Sequence, residues 1–126
     1  MPLLLSEGNC QYTAISTNGT TTLNPGQAGA PGVGYQNSLP SSFGVFWGAY
    51  LSALGTAPVL NVYDIIPPSG VGTNTATVTN LLMNGTGTAI GQSFAPGPLG
   101  VGIRYRGALV AVTSGTAAGT WNALWD

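Results

Sequence analysis

Apolar and polar residues alternate along most of this chain, and the dominant period is two. The firmest case is VLNVYDII at 59–66. Period two puts Val59, Asn61, Tyr63 and Ile65 on one face, with Leu60, Val62, Asp64 and Ile66 on the other. Pro67-Pro68 ends that strand, because proline has no amide proton to give to a ladder. Residues 11–16 alternate Tyr12 and Ala14 against Thr13 and Ile15. Asn18-Gly19 separates that run from 20–23, and Asn-Gly is the strongest short hairpin signal, so a first hairpin is expected there. Residues 75–83 alternate again, and Asn84-Gly85 predicts another hairpin, into 86–94.

The stretch 43–54 (FGVFWGAYLSAL) has two competing periods. Phe46, Tyr50 and Leu54 fit a helical spacing, while Val45, Trp47 and Ala49 alternate as a strand does. Gly44 and Gly48 weigh against a helix, so a strand is predicted, running into a turn at 52–58. APGPLG at 95–100 reads as a turn, and VGIRYR at 101–106 as a strand with Arg104 and Arg106 on one face.

Residues 107–126 organise the prediction. Two apolar runs, 108–113 and 120–125, flank a Ser-Gly-Thr-Ala-Ala-Gly link and read as a third hairpin. Leu109 and Ala111 oppose Ala108, Val110 and Val112; Trp121, Ala123 and Trp125 oppose Asn122 and Leu124. Both faces are largely apolar, whereas a surface hairpin shows one polar face. These runs are therefore either central in a two-layer core or covered by another subunit.

About eight short strands and no helix make the chain all-β: a single β-sandwich or jelly roll of antiparallel strands. A chain of 126 residues makes one domain. Residues 1–9 form an N-terminal arm whose Leu3, Leu4 and Leu5 can dock on a neighbour or on the domain's own edge; residues 10–126 are the body. The arm lacks a basic segment and reads as a mature N-terminus. Within the body, Gly and Pro crowd the stretch 24–42 too densely for any period, which predicts a long loop, either a surface loop or an arm that orders against a subunit.

Charge changes the picture. Charged residues make up 4 % of the chain against about 25 % in ordinary soluble domains, and lysine and histidine are absent. So bare an exterior suits a subunit covered in an assembly, or a secreted protein. No basic patch serves nucleic acid and no cationic amphipathic stretch serves a membrane surface. Cys10, alone, reads as a small buried apolar residue, and no metal or cofactor site is expected. A hydrolase needs a base or a carboxylate pair in one cleft; Glu7, Asp64 and Asp126 are the whole acidic set, so no enzyme is expected.

VLNVYD at 59–64, the Pro-Gly turn, GIRYRGALVAVTSGTAAGTW at 102–121 and the short aromatic last strand together resemble a group of small structural proteins of tailed-bacteriophage heads. The resemblance covers 59–126 and involves no catalytic residue. It implies a β-sandwich on the virion, at the phage head surface, that decorates or cements the capsid by bridging copies of the major capsid protein, with a homotrimer favoured. The interface candidates are Leu3, Leu4, Leu5, Trp47, Tyr50, Arg104, Arg106, Trp121 and Trp125. The competing expectation is a carbohydrate- or receptor-binding module of a tail fibre or spike, for which the Trp and Tyr rings supply sugar stacking. Core packing is the competing use of the same rings. For Arg104 and Arg106 the alternatives are solvent or an intrachain carboxylate, a carboxylate on a partner, and a phosphate or substrate clamp.

Overall fold

A computed structural model describes residues 11–25, 44–66, 78–97 and 101–126. The expected arm at 1–9, with Leu3, Leu4 and Leu5, and residues 26–42 of the expected loop lie outside the described residues.

Among the described residues nine strands follow one another: β1 (Gln11–Ile15), β2 (Gly19–Asn24), β3 (Gly44–Ala53), β4 (Val59–Ile66), β5 (Val78–Thr86), β6 (Ser93–Phe94), β7 (Ile103–Tyr105), β8 (Ala108–Ser114) and β9 (Thr120–Trp125). They form two antiparallel sheets. Sheet A runs β1-β9-β3-β6, and β7 also pairs with β3; sheet B runs β2-β8-β4-β5. β6 meets Ala49 and Tyr50, and β7 meets Gly44 to Phe46, so the two short pieces form one interrupted strand along a single edge of β3. Counted that way there are eight strands, and the chain switches sheet at every step except β4 to β5. This is the order of a jelly roll, two Greek keys wrapped into facing sheets.

The expected hairpins are all corrected. β1 lies in sheet A and β2 in sheet B, so Asn18-Gly19 turns between sheets. A type I′ turn needs positive φ at both central residues, and only Gly19 has it, at 136°. β8 and β9 are also in different sheets. β8 is central between β2 and β4, and β9 between β1 and β3. The 115–119 link crosses the end of the sandwich, pinned where Thr56 donates to the Ala117 carbonyl at 3.0 Å and accepts from the Thr116 amide at 3.1 Å. Asn84-Gly85 lies inside β5, facing Asn61 and Leu60. Gly85 is small for another reason: a Cβ there would sit 2.9 Å from the Phe94 ring.

The core between the sheets is formed by Phe46, Leu51, Trp121 and Ala123 from sheet A against Leu60, Val62, Leu109 and Ala111 from sheet B. These are the faces that period two assigned in β4, β8 and β9. In β3 the bulge between Phe46 and Gly48 reverses the alternation, so Phe46 and Leu51 both face the core, and Ala49, expected on the face of Val45 and Trp47, is buried apart from them. The Phe94 ring stands 5.4 Å from Trp121, tilted by 57°, near the edge where β5 and β6 meet. Tyr105 is fully buried. Its hydroxyl donates to the Asp126 carbonyl at 2.6 Å and accepts from Asn24 at 2.7 Å. Asp64, on the core face of β4, is buried. Its carboxylate accepts the Gly107 amide at 2.8 Å and the Arg106 amide at 3.0 Å, fixing the bend between β7 and β8.

Candidate functional site

With the core faces assigned, the outward faces follow. On sheet A the register sets Tyr12 beside Leu124, Asn122 beside Tyr50, and Val45 beside Arg104. Trp47 sits at the bulge between Phe46 and Gly48. It shares a side with Val45, since a Cβ on Gly102 would lie 2.3 Å from Val45 Cγ1 and 2.8 Å from Trp47 Cε3. The outer face of sheet A thus carries Arg104, Val45, Trp47, Leu124, Tyr50 and Tyr12. It extends roughly 15 Å along β3 at about 3.3 Å per residue.

Its polar part is built around two tyrosines. Tyr12 is 58 % exposed. The Tyr12 and Tyr50 hydroxyls share a hydrogen bond across β9, with ring centroids 6.2 Å apart and planes inclined by 31°. That bond raises the Tyr12 hydroxyl's pKa above its usual 10, because a neutral phenol is held by it. Between them on β9 lies Asn122, which points outward yet is only 4 % exposed. Its amide donates to Ser52 Oγ at 2.8 Å. Ser16 and Thr120 hydroxyls lie 3.3 Å apart beside them. At the other end Arg104 is exposed, and the Asp126 carboxylate accepts the Val45 amide at 3.3 Å.

Three of the expected interface residues, Trp47, Tyr50 and Arg104, therefore come together on one face. The others part. Trp121 is 1 % exposed, facing the opposite sheet, so it is a core residue. Trp125 packs on the core from its rim, and its indole N–H donates to Thr13 Oγ1 at 3.1 Å. Arg106 does not share a strand face with Arg104, because β7 ends at Tyr105 and the chain bends there toward sheet B. Asp64 takes the main-chain amides of that bend. Tyr12 is the site residue that sequence reasoning passed over; its signal was a large ring on the side of 11–16 opposite Ile15.

No group of three or more potential metal ligands occurs among the described residues. Nor does a described helix long and apolar enough to cross a membrane. Arg, Trp and Tyr on an exposed sheet face are the residue types that dominate binding energy at protein interfaces, and rings with amide and hydroxyl neighbours also suit sugars. By fold and surface the chain is a jelly roll with one aromatic outer face. Comparison with protein-family models, curated proteins and solved structures returns no match, so the likeness to phage head proteins rests on its short strand motifs alone.

Proposed function

We propose that the chain is a structural subunit of a virion, a decoration or cement protein of a tailed-phage head that docks on the capsid through the outer face of sheet A. The observation that carries this reading is the gathering of Arg104, Trp47, Tyr50 and Tyr12 on that face of a jelly roll with so few charges. Burying the rings against a capsid subunit removes apolar area from water at about 25 cal/mol per Å². Repeated over a shell, such contacts add by avidity, and Arg104 fits a carboxylate on the partner.

Co-sedimentation with undecorated capsids tests it. The wild-type chain should bind at saturating, discrete stoichiometry. Tyr12→Ala and Arg104→Glu should each weaken binding at least about tenfold, as loss of an interface anchor does. Both residues are exposed, so thermal stability should stay unchanged. A chain with no capsid affinity refutes the reading.

The Tyr12–Tyr50 pair above Asn122 and Ser52 favours a second reading, a carbohydrate-binding module. A glycan array separates the two: binders lost on Tyr12→Ala, with no capsid affinity, select the sugar.

A further inference from the structure

Sheet B ends at β5, and the make-up of that edge is unusual. β5 is nine residues long and carries no charge and no proline. Its neighbour in the sheet is β4, and no other described strand pairs with the far side of its backbone. Natural sheets guard such edges with lysine, proline, short strands or bulges. Here the one guard is a bulge, where the register slips between Leu81 and Met83. Val78 to Leu81 keep regular register with Ile66 to Tyr63. Within that stretch Val78 is 43 % and Leu81 56 % exposed. The outward side continues across the sheet through uncharged residues, because Leu81 lies beside Tyr63 and Asn61 beside Val112, while Val110, beside Tyr63, is itself buried. Thr79, Leu81, Tyr63, Ile65, Val110 and Val112 carry no charge between them.

We infer that β5 is a self-association edge: two copies of this chain pair β5 to β5 in antiparallel fashion about a twofold axis, joining two four-stranded sheets into one of eight. The occupant is a second copy because the edge is complementary to itself. An antiparallel strand pair about a twofold offers each backbone donor to the matching acceptor, and two neutral strands meet without like-charge repulsion. The pleat also fixes the register. Residues facing each other must point to the same side of the joined sheet, so the sum of facing numbers is even in the regular stretch. Centring on Asn80 satisfies this, with Asn80 opposite its own copy and Leu81 opposite Thr79 of the second copy. That register covers the most exposed apolar side chain of the edge. The surface is distinct from the outer face of sheet A, so it does not depend on what that face binds.

Sedimentation velocity on the full chain, without capsids, reads the association. A dimer or an even-numbered oligomer is expected at micromolar concentration. Leu81→Lys, at an exposed site, should raise the dissociation constant at least about tenfold while leaving the thermal midpoint of the monomer unchanged. Register is tested in a Cys10→Ser background with oxidised glutathione. Facing Cα atoms in an antiparallel ladder lie about 4.5–5.5 Å apart, within disulfide range. Asn80→Cys should therefore crosslink to a covalent dimer, and Thr86→Cys, exposed six positions along, should not. A monomeric wild-type chain at high concentration overturns the inference. So does an oligomer indifferent to Leu81→Lys, or crosslinking through Thr86→Cys but not Asn80→Cys.

Discussion

Trp121 offers the sharpest test of the fold. Its ring is 1 % exposed, lies against Phe94 at 5.4 Å, and belongs to the same cluster as Leu51, Leu60 and Leu109. A buried tryptophan withdraws about 150–250 Å² from water, worth about 4–6 kcal/mol as an upper bound. Trp121→Ala should then cost about 3–5 kcal/mol, part of it from the cavity that β3 and β9 cannot close. Against a typical stability of about 5–15 kcal/mol, that brings the chain near its unfolding threshold. One detail separates ring from indole. Trp121 Nε1 is buried and has no hydrogen-bond partner among the described residues. An orphaned buried donor costs about 1–3 kcal/mol, so Trp121→Phe recovers that penalty while losing some volume. The phenylalanine variant should lie within about 1.5 kcal/mol of wild type. Reversible urea denaturation at fixed protein concentration measures both. A loss below about 1 kcal/mol for Trp121→Ala would mean the ring faces outward and the two sheets are wrongly paired. Equal damage from both variants would mean the indole N–H holds a contact the fold does not contain.

Three further outcomes follow from the same structure. Gly85→Ala drives a methyl to 2.9 Å from the Phe94 ring and should cost about 1–3 kcal/mol in urea denaturation; Phe94→Leu in the same chain should recover part of it, and simple additivity would show the two do not touch. Asp64→Ala leaves the Arg106 and Gly107 amides without their acceptor and should cost about 2–5 kcal/mol, read as a lowered denaturation midpoint. Burial raises the Tyr105 hydroxyl's pKa above 10, with the Asn24 hydrogen bond opposing it. The unfolded chain gives up this proton first, so stability is full below pH 10 and falls as pH rises through the folded value. Thermal melts from pH 8 to 11 should show that fall, and Tyr105→Phe, less stable at pH 8, should show a shallower one.

Much of the fold was legible along the chain because a pleated strand exposes its faces by simple alternation. β4, β8 and β9 carry their inner and outer residues where period two placed them, and Gly44 and Gly48 decided β3 against a helix. The even apolarity of 108–113 and 120–125 marked two strands that are central in their sheets. Sheet membership was not legible. Asn18-Gly19 and 115–119 have hairpin composition, yet each joins opposite sheets, because a turn's residues specify local dihedrals and not what each flanking strand pairs with. Asn84-Gly85 carries a turn signal that the close approach of Phe94 explains instead.

The sequence by itself determined an all-β chain, its strand faces, the rings available for a core and the near absence of charge, since all of these are local or compositional. Only the tertiary structure decided that Tyr12, Tyr50, Trp47 and Arg104 meet on one surface while Trp121 is shut away. The four that meet come from β1, β3 and β7, up to 92 positions apart along the chain. Only long-range strand register brings such residues into contact, and that register is fixed by burial summed over both sheets at once.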